Sequence, residues 1–474
     1  MAKRKNVLLL LADEWRADTV GCYGHPLVRT PATDDLAARG VRFANHFTPH
    51  GKCVPARVAL YSGRYPNLGG HRTLGILLQP HEANLGLTLR EAGYHCAILH
   101  RNHTIDSSWI DRVFHERIGM DRPYPGWYAA EPGLTEAEVR AYYHGRSAER
   151  PPDQDSTDLL CDWLRQRRDG DTPFFANINW DMPHPPYKAV AGHADRYPLD
   201  AIELLPTCDA ADKPLYVRGI RETCGAAAGA LTPDLKRRIL QAYYGMVSCI
   251  DEQVGRIVAT LRECGLWDDT IVILASDHGD YCTQYDLLEK WDTGFEDCIV
   301  HVPFILAGGG LSQGRVVQGF TSHVDLFPTL ADLLGIECPV GVSGASLVPM
   351  IEDPGVTLRD YAFAEGGHEP ELLRIPIAPE EHNVMLCYQG KATVRNRWPD
   401  SLRRAKMIRT AEFKYIYRVA EADELYDLRT DPHECRNLAA DPACADVIRE
   451  YRDRLLCHLV ENEDKRPLDP KPIA

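Results

Sequence analysis

Two acidic pairs stand far apart in the chain, Asp13-Glu14 and Asp277-His278. Carboxylate oxygens with at most one imidazole suit a hard divalent cation such as Ca²⁺, Mg²⁺ or Mn²⁺ better than a structural zinc. The alternative for Asp277-His278-Gly279-Asp280 is a plain strand-to-loop cap. A third group is Cys53, in Gly51-Lys52-Cys53-Val54-Pro55-Ala56-Arg57. Proline suits the first turn of a helix, so a helix is expected to begin near Pro55 with Cys53 just before it. Backbone N–H groups and the positive end of the helix dipole then face Cys53 and any anion beside it. Arg57, one turn on, reaches back to the same place. That arrangement suits an anion-facing nucleophile; a buried structural cysteine is the competing reading.

These groups need elements to bring them together. Short apolar runs at Val7–Ala12, His95–Leu99, Phe174–Trp180, Thr270–Ser276 and Val302–Ala307 alternate with helical patterns at Thr33–Arg39, Ser156–Arg167, Leu235–Cys264 and Val324–Gly335. The expected fold is α/β, a large, mainly parallel mixed sheet sandwiched by helices. Four runs end in polar groups: Asp13-Glu14, Arg101-Asn102-His103, Asp181 to His184, and Asp277-His278. Ligands bind beyond the carboxyl ends of such strands, so this coincidence marks a site. Met120–Arg150 and Ala189–Ala230 read as long insertions near its entrance. After about Leu386 the pattern changes to short strands at Thr393–Arg397, Ala405–Thr410, Phe413–Val419 and Glu424–Leu428, then a helix over Pro442–Val460. The expected division is a catalytic unit at 1–385 and a small C-terminal antiparallel α+β subdomain at 386–474.

The 474 residues, 44% hydrophobic and 26% charged, exclude collagen, coiled coil and intrinsic disorder. With 53 basic against 68 acidic residues, the net charge of -15 argues against reading nucleic acid through a basic face. The apolar stretch after Met1 to Asn6 is shorter than the roughly 7–15 residues of a signal-peptide core and runs into Asp13-Glu14, so it reads as a buried strand. No run approaches the roughly 20 residues of a membrane span. Fifteen scattered cysteines without a CxxC pair read as reduced thiols of a cytoplasmic protein. Periplasmic or exported location, with a leader removed, is the lesser reading.

Cys53-x-Pro55-x-Arg57, extended by Leu60, Ser62-Gly63-Arg64 and Pro66, resembles the maturation signature of the type I sulfatases, formylglycine-dependent members of the alkaline phosphatase-like superfamily. The resemblance covers nearly the whole chain. Asn6–Asp13 is similar to the family's first strand and metal carboxylate, and Thr30-Pro31 to Phe43 to the helix and strand that come next. Asp181-Met182-Pro183-His184-Pro185-Pro186-Tyr187 is similar to a Pro-His-x-Pro segment, Ser276-Asp277-His278-Gly279 to the second metal pair, and Glu289-Lys290 to a sulfate-binding lysine. Glu424-Leu425-Tyr426-Asp427-Leu428 with Asp431-Pro432, Glu434 and Asn437-Leu438 is similar to the terminal subdomain.

The resemblance implies that Asp13, Glu14, Asp277 and His278 hold one divalent cation, calcium before manganese or magnesium, with an oxygen of Cys53 converted to formylglycine by a formylglycine-generating enzyme. Arg57 and Lys290 would bind the anion, and Arg101 and His103 would take the place of a family Lys-x-His. Two departures stand out: Glu14 sits where Asp is frequent, and Arg101 offers a planar fork in place of an ammonium. The implied reaction is hydrolysis of a small anionic sulfate ester: a hydroxyl of the hydrated aldehyde attacks sulfur, His184 protonates the departing alcohol, and His103 removes the proton that lets sulfate leave. A phosphonate monoester or phosphodiester hydrolase is the alternative on this scaffold, and a catalytically dead protein that binds sulfated sugar is a third reading. Gly70-His71-Arg72-Thr73 with Gln79-Pro80-His81-Glu82 is similar to sulfatases acting on carbohydrate, including glycosaminoglycan fragments, which would make His71 and Arg72 substrate-binding. Trp180 and Trp291 read as core or rim aromatics, and the basic run Arg395, Arg397, Arg403, Arg404 and Lys406 as a solvated face or an entrance lining. Oligomeric state is not legible.

Overall fold

The structure is a computed structural model that describes residues 4–120, 125–168, 170–223, 231–369 and 384–463. At its centre lies the strand Asn6–Asp13, buried along its whole length. The run lacks polar alternation because both faces are covered. Leu8, Leu10 and Ala12 enter one hydrophobic core; Val7, Leu9 and Leu11 enter the other. Helices Pro152–Arg165 and Pro233–Glu263 close the first core, and Cys53–Ser62 and Leu326–Leu334 the second.

The large sheet has eight strands, in the order Arg315–Ser322, Gly40–Phe47, Phe304–Gly308, Thr270–Ser276, Asn6–Asp13, Phe174–Pro183, His95–His100 and Glu116–Ile118. Only Phe304–Gly308 runs antiparallel to its neighbours, so the sheet is mainly parallel and mixed, as expected. Strand register determines which side chains become neighbours at the sheet edge. Ala12 pairs with Ser276, while Leu11 and His100 both pair with Asn179. Asp13, Asp277, Asp181 and Arg101 therefore emerge side by side at the carboxyl edge.

A second, antiparallel sheet has the order Ala362–Gly366, Ala405–Arg409, Phe413–Arg418 and Glu424–Asp427, with helix Ala445–Glu461 packed on it through Tyr451 and Leu455. Its edge strand comes from before residue 386, so the sheets do not divide at that position. Thr393–Arg397, expected as a strand, is instead the end of helix Val384–Arg397. Five residues fit either period, and packing settles the choice: Val394 is buried with Val217 and Ile220 of helix Leu215–Thr223. Gly219 permits that approach, since a Cβ there would lie 2.8 Å from the Trp398 ring. The insertions hold short helices and one parallel strand pair, Tyr143–Ser147 with Tyr187–Val190; their residues 121–124 and 224–230 lie outside the described ones. Among the described residues no helix is long and apolar enough to cross a membrane.

The cysteines require a correction. Cys208 and Cys435, 227 residues apart, form a disulfide, and the other cysteines described are free. No spacing motif announces the bond because it joins the loop before Leu215–Thr223 to a turn after Glu424–Asp427. At the same junction the buried Lys213 ion-pairs with Glu296 at 3.0 Å and donates to the Glu434 carbonyl at 3.0 Å. Closing so long a loop restricts the unfolded chain, so Cys208→Ser is expected to lower stability by about 2–5 kcal/mol. Denaturant midpoints check this, and an unchanged midpoint would mean that Lys213 and its neighbours hold the junction alone.

Candidate active site

Cys53 is the first residue of helix Cys53–Ser62, two positions earlier than the proline suggested. Pro55 still falls in the first turn, where its missing N–H has no partner to lose. Cys53 Sγ lies 3.5 Å from Asp13 Oδ1 and 3.3 Å from His278 Nε2. That nitrogen is in turn 3.8 Å from Oδ1 of both Asp13 and Asp277. The four donor atoms all lie within 4.8 Å of one another.

Arg57 orients them. Its Nη2 donates to Asp13 Oδ2 at 3.0 Å, its Nε to Asp277 Oδ2 at 2.8 Å, and its Nη1 to Asn179 Oδ1 at 3.1 Å. With the Oδ2 atoms engaged, both Oδ1 atoms are left on the Cys53 side. Asp277 Oδ1 also accepts from the backbone N–H of Glu14 at 3.2 Å and of His278 at 2.8 Å. His278 Nδ1 donates to the Gly279 carbonyl at 2.9 Å, so Nε2 presents its lone pair to the cluster. Burial holds this imidazole well below its usual range and therefore neutral, as a metal ligand must be. Gly279 allows the turn: a Cβ there would lie 1.9 Å from the Cys298 carbonyl oxygen. By its chemistry and convergence the donor set fits a divalent cation.

Glu14 is placed differently. At φ 68 its side chain pairs with Lys290 and lies 3.2 Å from His184 Nε2, grouping with Asp13 and His184 and not with Cys53. It therefore belongs to a second donor group that shares Asp13 with the first. Burial, reinforced by Asp280 and Asp13, pushes its carboxyl well up, and Lys290 opposes the shift. For Lys290 itself burial acts downward, but Cys53, Glu14 and Asp13 outweigh it and hold the ammonium firmly charged. Lys290 also pairs with Glu289 at 2.8 Å.

Two imidazoles flank this centre. His184 Nδ1 donates to the Pro185 carbonyl at 2.5 Å, and burial followed by Lys290 and Arg101 keeps the ring neutral. His103 Nδ1 stands 3.9 Å from Asp13 Oδ2; burial, Arg57 and Arg101 push it down to about 3, so the ring is neutral at neutral pH. Arg101 Nε meets Asp181 Oδ1 at 2.5 Å, and its Nη2 donates to Tyr128 Oη at 3.5 Å. Cys53, Arg57, Arg101, His103, His184 and Lys290 thus gather around one point.

His71 does not join them. It is buried beside Ser62 and Tyr65, at the end of the helix opposite Cys53. Both its nitrogens are engaged, with the Ile76 carbonyl at 2.8 Å and Glu82 at 3.0 Å. Trp180 and Trp291 are core residues, their indole N–H groups donating to Thr157 and Ser401. The basic run is tied up in ion pairs: Arg395 with Asp292, Arg397 with Glu222, Arg403 with Asp400, Arg404 with Glu369 and Lys406 with Glu365.

The site also contains groups that the sequence reading did not single out. Asn179 bridges Arg57 and the Arg101 carbonyl, at 2.7 Å from the latter; its signal was the period-two spacing to Asp181 on one strand. Asp280 accepts from Tyr187 Oη at 2.8 and 2.9 Å. Trp127, Tyr128 and Tyr142, all from the first insertion, line a cavity with Arg101, Asp181 and His184.

Arg57, Asp13 and Asp277 are fully buried. Arg57→Ala would leave two carboxylates facing each other, so the metal-free protein is expected to lose about 3–5 kcal/mol. A divalent cation should restore part of this by supplying the missing charge. Unfolding midpoints with and without cation test the idea, and equal losses in both would refute it.

The model of the family described as Sulfatase matches residues 5–336. The chain is 29% identical over 516 residues to the multifunctional alkaline phosphatase superfamily protein PehA of Trinickia caryophylli, covering 98% of this chain and 96% of that one. It is 26% identical to iduronate 2-sulfatase of Homo sapiens, covering 94% and 92%. Among solved structures, the phosphonate monoester hydrolase of Agrobacterium radiobacter superposes with a TM-score of 0.79 at 27% identity, covering 97% of this chain and 96% of that one. With the family match spanning most of the chain, including the large sheet and the cluster around Cys53, the chain belongs to the sulfatase family and is a sulfuric ester hydrolase.

Proposed function

We propose that the chain hydrolyses sulfate esters of carbohydrate through formylglycine made from Cys53 and one divalent cation, calcium before manganese or magnesium. The observation that carries this reading is the convergence of Asp13, Asp277 and His278 on Cys53 at a helix N-terminus, with Arg57 behind it. Burial, then Asp13, push the Cys53 thiol far above its ordinary range. An unconverted side chain is therefore a poor nucleophile, which favours conversion. Asp13, Asp277 and His278 would hold the cation, which supplies charge to acidify the attacking hydroxyl and stabilise the transferring group.

The remaining roles belong to the chain's own side chains. Arg57, Lys290 and the helix N-terminus offset negative charge on the transferring group within a protein whose net charge is acidic. His103, neutral in the site, takes the proton that frees the product sulfate. His184 donates only as imidazolium, because its Nδ1–H is engaged by Pro185; an anion bound at Cys53 favours that charged form. The sugar assignment takes from the iduronate 2-sulfatase relative the carbohydrate class and not the acidic sugar. The second reading, a phosphonate monoester hydrolase, draws on the structure at TM-score 0.79; the two substrates share one negative charge and a tetrahedral centre. For the compartment, Cys208–Cys435 favours an oxidising one over the cytoplasm expected from the scattered thiols.

Peptide mass spectrometry of residue 53 and parallel assays of an aryl sulfate and an aryl phosphonate monoester test the proposal. Formylglycine with dominant sulfate turnover is expected, lost in Cys53→Ala and reduced to slow, single-turnover behaviour in Cys53→Ser. Dominant phosphonate turnover would establish the second reading, and unmodified cysteine with full activity would overturn both. His184→Ala should cost an alkyl sulfate about 10²–10⁴-fold in kcat, and a nitrophenyl sulfate, whose leaving group needs no proton, far less. Equal losses would remove His184 from the acid role.

A further inference from the structure

We infer that the departing half of the substrate is a single uncharged ring, held in an aromatic slot beside His184; this rests on the proposed ester-hydrolase function. The slot is a cavity of about 250 Å³. Its aromatic walls come from two places in the chain: Trp127, Tyr128 and Tyr142 from the first insertion, and Tyr388 from helix Val384–Arg397. Tyr142 and Tyr388 meet edge to face, with centroids 5.4 Å apart and planes at 89°. Apolar cavities of roughly 150 Å³ accept benzene. The slot therefore has room for one substituted ring.

Charge narrows the choice. A leaving group with a carboxylate would need a cation, and among the described residues those bordering the slot are already engaged. Arg101 pairs with Asp181. Lys391 pairs with Glu289 and donates to the Lys290 carbonyl. Lys188 donates to the Trp127 and Ala129 carbonyls at 3.2 and 3.1 Å and faces Glu131 at 3.7 Å. A cationic leaving group is disfavoured as well, because the Lys188 and Lys391 ammonium groups already stand 5.6 and 5.7 Å from the Trp127 and Tyr142 ring centroids. What remains is a neutral ring that presents a face or an edge to aromatic walls. A phenol and an uncharged pyranose share that chemistry; a uronate does not.

Calorimetric binding of phenylmethanesulfonate and propanesulfonate, which carry the same anion with and without a ring, tests the slot on the full chain. The ring compound should bind about tenfold more tightly, and Tyr388→Ala should erase the difference while Tyr388→Phe keeps it. Equal affinities in the unaltered protein, or failure of Tyr388→Phe to keep the preference, would overturn the inference. This readout stands whether or not an ester is turned over, so it fails independently of the hydrolase reading. In the converted enzyme, Tyr388→Ala should raise KM about tenfold for 4-nitrophenyl sulfate or glucose 6-sulfate and leave that of propyl sulfate unchanged; the ester with the lower KM in unaltered enzyme identifies the source of the ring. A higher kcat/KM for glucuronate 2-sulfate than for glucose 6-sulfate would contradict the slot's neutrality.

Discussion

The site depends on one buried guanidinium. Asp13 and Asp277 end adjacent parallel strands, and their side chains would repel each other if nothing lay between them. Arg57 takes one oxygen of each and turns the other toward Cys53. Because the fork is planar and its donors fixed, it sets orientation as well as charge balance. The helix that carries Arg57 also begins at Cys53, so a single element positions the reacting residue and the group that aligns its partners. The parallel register supplies the rest, since Ala12 opposite Ser276 places the next residues side by side without long loops.

Positive charge is arranged in two layers here. Arg57 neutralises carboxylates and is committed to them. Lys290 is shared among Glu14, Glu289 and the space beside Cys53. Glu289 in turn holds Lys391 of helix Val384–Arg397, so Lys290 is braced by a segment that comes after the first strand of the small sheet. The aromatic slot shows the same dependence through Tyr388. The proposed substrate contact and small-sheet packing are therefore coupled, although the groups around Cys53 itself come from the helix Cys53–Ser62 and from the ends and loops of the large sheet.

Much of this was legible in the sequence, for physical reasons. Continuous apolar runs such as Leu8 to Leu11 have one stable solution, a strand covered on both faces, and the polar residues closing four such runs had to meet at one edge. Thr393–Arg397 was not legible, because a five-residue stretch has no period strong enough to resist its neighbours. Nor was Cys208–Cys435, whose partners are brought together by tertiary structure alone. His71 illustrates a different limit: a loop motif can match a pattern while its side chain is spent on holding the loop, here through Ile76 and Glu82. Three of the slot aromatics, Trp127, Tyr128 and Tyr142, lay within a segment read as an entrance, but only the fold brings them together with Tyr388, Arg101 and His184.

The depth of Cys53 carries a consequence for timing. Its side chain is 4% exposed, enclosed by a helix from the early chain and by Asp277 and His278, and His278 lies 225 residues further on. A modifying enzyme needs an extended peptide to reach such a position, and the finished fold offers none. At synthesis rates of about 5–20 residues per second, the second half of the cluster trails Cys53 by roughly 11–45 seconds. If Cys53 is converted as proposed, that step has to precede docking of the late strand. A molecule that folds first closes over an unaltered thiol and has no route back except unfolding.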